Sequence, residues 1–205
     1  MKILGVNSSP NADGSTAALI DMVLAECRLL GASCERIDLR DYHLMDCRIC
    51  TETCTGTGSC LQDDFIQLKA KILEADGLVI GSPYYGGKPA DKLTLLAERL
   101  SLTATVNEAG RKRYTLGVSA SAGDSSEDVA RWCSRLKDGT VKYGFTESAW
   151  LHAATLEYAV PGDMKNDAQL AAKVREAAGK FMKDIGGRKT GLVYRLKKFL
   201  GLVED

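Results

Sequence analysis

The chain has 205 residues, 45% of them hydrophobic, and its 27 basic side chains balance its 27 acidic ones. That length suits one α/β domain with a sizeable core, and a formal charge of zero excludes the basic field that gathers nucleic acid or anionic lipid. The opening run Met1-Lys2-Ile3-Leu4-Gly5-Val6 turns polar at Asn7, too soon for a signal peptide or a membrane span, so the expectation is a cytoplasmic protein with no membrane span.

Residues 2–6 read as a strand, followed by a polar loop from Asn7 to Thr16 and a helix marked by Leu19, Ile20, Val23 and Leu24 at helical spacing. The loop is rich in hydroxyls and small residues, and Ser15 or Thr16 stands where a helix N-cap would. Backbone N–H groups and hydroxyls therefore converge on one point, which suits a phosphate, or else the segment is an ordinary capped turn. Neither the dinucleotide G-x-G-x-x-G nor the P-loop G-x-x-x-x-G-K-[ST] is present. The helix is expected to end near Gly31, and residues 34–39 alternate as a second strand.

Four of the seven cysteines then fall in one short polar segment, Cys47, Cys50, Cys54 and Cys60, spaced C-x2-C-x3-C-x5-C. A buried structural cysteine keeps apolar company at strand or helix spacing, and these four do not. An odd total fits a reducing compartment in which clustered thiols hold metal or do redox work. Four thiolates suit a 4Fe-4S cluster or a closed tetrahedral zinc site. Cys27, Cys34 and Cys133 sit in helix or strand patterns and read as packing residues.

Beyond the cysteines, Phe65, Ile66, Leu68, Ile72 and Leu73 mark a second helix capped near Asp63 or Asp64. Gly77-Leu78-Val79-Ile80-Gly81 is a continuous apolar run of the kind found in buried parallel strands. It empties into Ser82-Pro83-Tyr84-Tyr85-Gly86-Gly87, where glycines permit close backbone approach and two tyrosines offer flat faces or plain packing. Leu93 to Leu102 predict a third helix, and Tyr114 to Ser119 a fourth strand that ends in Ala120-Ser121-Ala122-Gly123, a further candidate ligand turn. A helix with Val129, Trp132, Cys133 and Leu136, a fifth strand near 148–156 and a helix over 167–185 complete the alternation. Five strands separated by helices predict a doubly wound parallel sheet with helices on both faces. The domain is expected to occupy residues 1–187, with residues 188–205 as an amphipathic helical tail carrying Leu192, Leu196, Phe199 and Leu200 opposite Arg195, Lys197 and Lys198.

Together, Gly5-Val6-Asn7-Ser8-Ser9-Pro10 with Ser15-Thr16, the cysteine segment, Asp63-Asp64 and Ala75 through Gly86 resemble the NADPH-dependent FMN reductase family, in particular its iron-sulfur flavoprotein branch. The resemblance covers the first half of the chain, weakens through the fourth strand and carries no motif in the last third. It implies a flavodoxin-like sheet of order 2-1-3-4-5 with FMN beyond the carboxyl ends of the strands. By position, Ser8, Ser9, Asn11, Ser15 and Thr16 correspond to the phosphate loop, Pro83, Tyr84, Tyr85 and Gly86 to the loop against the flavin ring, and Ser119, Ser121 and Gly123 to a third flavin-facing turn. Asn11 stands where many members carry Arg. The branch's motif is C-x2-C-x2-C with a fourth cysteine further on, so the gap between Cys50 and Cys54 is one residue longer here. The resemblance also implies NAD(P)H or a reduced ferredoxin as donor and a homodimer or homotetramer. A cluster-free FMN or quinone reductase and a non-catalytic redox sensor or zinc-stapled protein are the competing readings.

Overall fold

Successive side chains of a strand point to opposite faces of the sheet, and in a strand buried on both sides this decides which face each apolar residue serves. In the computed structural model, described for residues 1–47, 63–83, 88–103, 113–121, 127–135, 144–154 and 161–199, β1 (Lys2–Asn7) sends Leu4 and Val6 to one face and Ile3 to the other. In the same way β3 (Gly77–Pro83) sets Leu78 and Ile80 against Val79. With β2 (Ser33–Asp38), β4 (Arg113–Ser121) and β5 (Phe145–Ala154) they form one sheet, parallel at every pairing, in the order β2-β1-β3-β4-β5. The fold is the flavodoxin-like doubly wound α/β sheet that the sequence predicts.

Two helices cover one face. Leu19, Ile20, Val23 and Leu24 of α1 (Ser15–Leu29) pack beside Val174, Phe181 and Ile185 of α5 (Ala168–Phe199). The other face is covered by α2 (Phe65–Glu74), α3 (Asp91–Thr103) and α4 (Glu127–Arg135), through residues such as Phe65, Leu68, Leu96, Leu100, Val129 and Cys133. The α4 contact is backbone against backbone: a Cβ placed on Gly117 of β4 would lie 2.0 Å from the Ala130 carbonyl oxygen. Cys27 and Cys133 are fully buried in these two layers. Burial pushes the Cys27 thiol up to about 12 and also raises Cys133, so both are inert packing groups as expected.

Three elements differ from expectation. Helix α1 starts at Ser15 with Gly14 as its N-cap residue, so neither Ser15 nor Thr16 takes the cap position. Strand β5 begins at Phe145 rather than near Ser148, because Thr146 and Glu147 are exposed residues of an edge strand and show no apolar run. Its register shifts where Thr115 and Leu116 stand opposite Glu147 and Ala149, leaving Ser148 as a bulge. Asp184 of α5 accepts the Ser148 hydroxyl at 2.6 Å and Lys180 donates to the Ser148 carbonyl. Finally, α5 runs without a break to Phe199, so the expected last helix and the helical tail form one element.

Candidate functional site

In a sheet of this order the chain leaves β1 toward β2 on one side and toward β3 on the other, which opens a crevice at the carboxyl ends of β1 and β3. Asn7 is level with Gly81 across that junction, Ser82 with Ser119 on β4, and Ser119 with His152 on β5. The loop after β1, Pro83 at the end of β3 and Ser119 to Ser121 at the end of β4 therefore share one end of the sheet. The structure brings together the described members of the expected flavin site, while Tyr84, Tyr85, Gly86 and Gly123 lie outside the described residues.

The loop after β1 is held by its own polar atoms. Asn7 is fully buried; its side-chain amide donates to Asp38 Oδ1 at 2.6 Å, and its Oδ1 accepts the Ser9 N–H at 3.1 Å. The Asn11 N–H donates to Ser9 Oγ at 3.1 Å and the Asp13 N–H to Asn11 Oδ1 at 3.0 Å. Ser8 works differently: both its N–H and its hydroxyl donate to the Gly81 carbonyl at 2.9 Å, so Ser8 ties β1 to β3. The Ser9 hydroxyl accepts from within the loop and keeps its own proton available to a ligand.

The start of α1 has the character of an anion site. Gly14 supplies no side-chain cap, no acidic residue stands in the first turn, and the Ser15, Thr16 and Ala17 N–H groups donate to nothing among the described residues. Three free amides and the positive end of the helix macrodipole thus face the loop that carries Ser9 and Asn11. A phosphate fits this donor set. On the outer side, Arg36 of β2 donates to the Ala12 carbonyl at 3.2 Å and bridges to Asp21 and to Asp38.

At the end of β4, Ser119 is fully buried, with its hydroxyl 3.1 Å from His152 Nδ1. At the end of β3, Ser82 Oγ donates to the Pro83 carbonyl and accepts the Ala90 N–H, both at 2.9 Å, which fixes where the following loop leaves and returns.

The cysteine segment hangs from the same sheet on a charged stem. Asp63, whose side chain is fully buried, pairs in bidentate fashion with Arg99 of α3 at 2.8 and 3.0 Å, and it also accepts the Met45 N–H at 2.7 Å and the Phe65 N–H at 3.1 Å. Arg99 in turn donates to the Met45 carbonyl at 2.6 Å and lies 4.6 Å from the Phe65 ring centroid. Burial alone would raise the Asp63 pKa, but the Arg99 guanidinium and the two backbone N–H groups outweigh it and hold the carboxyl below its ordinary value. Lys92, on the same helix, donates to the carbonyls of Leu39, Arg40 and Tyr42 at 3.0, 3.1 and 2.8 Å. Of the four expected ligands, Cys47 is exposed with a free thiol, and Cys50, Cys54 and Cys60 lie outside the described residues. Among the described residues no group of three or more His, Cys, Asp or Glu side chains converges on a metal position.

Sequence reasoning did not single out Asp38, Arg36, Arg99, Lys92 or His152. The first has a readable signal, since pairing β1 with β2 in register places it beside Asn7. Register likewise sets His152 beside Ser119, and Arg36 stands two residues before Asp38 on β2, whereas Lys92 and Arg99 depend on how α3 crosses the segment after β2.

Comparisons with known proteins bear on the family and the fold. An iron-sulfur flavoprotein of Archaeoglobus fulgidus is 35% identical over 114 residues, which is 55% of this chain and only 55% of the relative's own length. An iron-sulfur flavoprotein of Methanocaldococcus jannaschii is 28% identical over 171 residues, covering 82% of this chain and 88% of the relative. Among solved structures, RosB with a bound 8-demethyl-8-formylriboflavin 5'-phosphate intermediate superposes with a TM-score of 0.64 at 18% identity, over 100% of this chain and 88% of that one, a likeness of fold. The family model described as NADPH-dependent FMN reductase matches residues 1–132, the part of the chain that carries the loop after β1, the cysteine segment and the loop after β3, and the chain belongs to that family.

Proposed function

We propose that the chain is an FMN-dependent oxidoreductase of the iron-sulfur flavoprotein type, moving electrons between a reduced donor, NAD(P)H or ferredoxin, and an acceptor. The observation that carries this reading is the open N-terminus of α1 beside the Ser9 and Asn11 loop, at the switch point of a flavodoxin-like sheet, in a chain of the FMN reductase family. When bound, FMN supplies the exchange between two-electron and one-electron chemistry.

The chain's own residues bind and orient. Ser9, Asn11, Ser15 and Thr16 receive the phosphate on hydroxyls and backbone N–H groups, without a charged partner at position 11. Ser8 holds β1 against β3 beneath it. Pro83, Tyr84, Tyr85 and Gly86 bear on the flat ring, and Ser119, Ser121 and Gly123 form the third side. Cys47, Cys50, Cys54 and Cys60 are the ligands proposed for a 4Fe-4S cluster, which the names of the relatives in Archaeoglobus fulgidus and Methanocaldococcus jannaschii support. We place the protein in the cytoplasm, as a homodimer or homotetramer; no helix among the described residues is long and apolar enough to cross a membrane.

Iron, acid-labile sulfide, zinc and flavin assays on anaerobically purified protein test the whole reading. Equal amounts of iron and sulfide with bound FMN are expected. FMN without iron or sulfide would leave a cluster-free reductase, zinc would make the cysteine segment structural, and absence of FMN would end the oxidoreductase reading. In Cys54→Ala, flavin is expected to stay bound while the broad visible absorption of the cluster disappears; an unchanged spectrum would refute the cluster.

A further inference from the structure

We infer that Asp38 is a positioning residue for the phosphate end of the flavin site, acting through Asn7, an inference that rests on the FMN reading above. The argument starts from hydrogen-bond polarity. A side-chain amide has a donor end and an acceptor end, and its orientation is fixed when its neighbours have opposite demands. Asp38 Oδ1 only accepts, and it takes the Asn7 Nδ2 proton at 2.6 Å. The Ser9 N–H only donates, and it gives to Asn7 Oδ1 at 3.1 Å. Since Asn7 is fully buried, water offers no substitute for either partner.

The polarity set at Asp38 is passed along the loop. With its N–H drawn toward Asn7, Ser9 presents Oγ to the Asn11 N–H at 3.1 Å, and Asn11 Oδ1 receives the Asp13 N–H at 3.0 Å. Each link occupies an N–H of the loop and leaves the Ser9 hydroxyl proton and the α1 amides for the ligand. Arg36 completes the frame by holding the other oxygen of Asp38 at 3.4 Å and the Ala12 carbonyl at 3.2 Å. Asp38 stands outside the loop, on the neighbouring strand and level with Asn7, so it shapes the donor array without touching the ligand.

The test compares FMN with riboflavin, which shares the ring and ribityl chain but lacks the phosphate. In Asp38→Asn the residue at 38 must serve Asn7 and Arg36, both donors, with a single amide oxygen, so one link of the relay is lost. Flavin fluorescence titrations of the full-length protein are expected to show FMN binding weakened about tenfold, with riboflavin binding unchanged. The ratio of the two affinities separates positioning from general damage, because a loosened fold weakens both ligands alike. The exchanged pair Asn7→Asp with Asp38→Asn restores opposite polarity: the amide at 38 donates to the carboxylate at 7, which again accepts the Ser9 N–H. It is expected to recover the preference for FMN. An unchanged ratio in Asp38→Asn, an equal loss of both flavins, or no recovery in the exchanged pair would overturn the inference. Should the unsubstituted protein bind neither flavin, the FMN reading itself falls and takes the inference with it.

Discussion

The proposed phosphate loop and the stem of the cysteine segment are both held by polar contacts at the same sheet, yet they are built on different scales. The loop between Asn7 and Gly14 is braced mainly by near neighbours, the Ser9, Asn11 and Asp13 N–H groups each served by an oxygen two residues away, with Gly81, Asp38 and Arg36 as outside supports. The stem is clamped by full charges brought from far along the chain: Arg99 reaches Asp63 across 36 positions and the Met45 carbonyl across 54. The loop is neutral, and on the proposed reading it offers its remaining donors to FMN, so damage to it is expected to appear in binding. The stem is a closed ion pair inside the core, and damage to it is expected to appear in folding.

The strongest way to break this contrast is Asp63→Ala, which takes the carboxylate partner from buried Arg99 and the acceptor from the Met45 and Phe65 N–H groups. A loss of about 3–5 kcal/mol is expected by chemical denaturation, the penalty for breaking a buried pair. The acid limb of stability sharpens the same point. The folded Asp63 carboxyl lies below its ordinary value, so its contribution is fully present above the unfolded carboxylate pKa and is lost as pH falls through the lowered folded one. Stability measured against pH should therefore fall less steeply at the acid end in Asp63→Asn than in the unsubstituted protein.

Next in size is Gly117→Ala, at the contact between β4 and α4. Its methyl group would meet the Ala130 carbonyl at 2.0 Å and push α4 off the sheet, with an expected cost of about 1–3 kcal/mol in thermal or denaturant unfolding. In Ser8→Ala one donor to Gly81 is removed while the Ser8 N–H keeps the tie, so about 1 kcal/mol is expected to be lost. FMN affinity should change far less than in Ser9→Ala, because the Ser8 hydroxyl is already engaged; the pair of titrations checks it. The smallest stability effect is expected for Gly14→Asp. An acidic N-cap should stabilise α1 by roughly 0.3 kcal/mol while its carboxylate repels the phosphate, so the melting temperature rises slightly as FMN affinity drops.

The sheet was legible because apolar strand runs and helical spacing leave marks within a few residues of one another, as in Gly77 to Gly81 or Leu19 to Leu24. Five strands and their order emerged from that and from the family resemblance. Strand β5 was legible only in part, since an edge strand with exposed Thr146 and Glu147 and a bulge at Ser148 carries a broken pattern. The positions proposed around the phosphate, Ser9, Asn11, Ser15 and Thr16, stood out by the composition of their loop together with the family resemblance. Their supports did not: Asp38 acquires its role from strand register, and Lys92 and Arg99 from the way α3 crosses the segment after β2. Neither relation is written in local spacing.

Those two side chains carry a last consequence. Lys92 and Arg99 sit two turns apart on one helix and grip the backbone at Leu39 to Tyr42 and at Met45, with Asp63 closing the far side. The cysteine segment is thereby a cassette: whatever lies between its two anchors can be lengthened or shortened while the sheet and helices stay put. Loop entropy makes such variation cheap, since doubling a loop's length costs only about 0.6 kcal/mol. On that reading the three-residue gap between Cys50 and Cys54, where the resembled branch has two, asks for no change in the anchors at Met45 and Asp63.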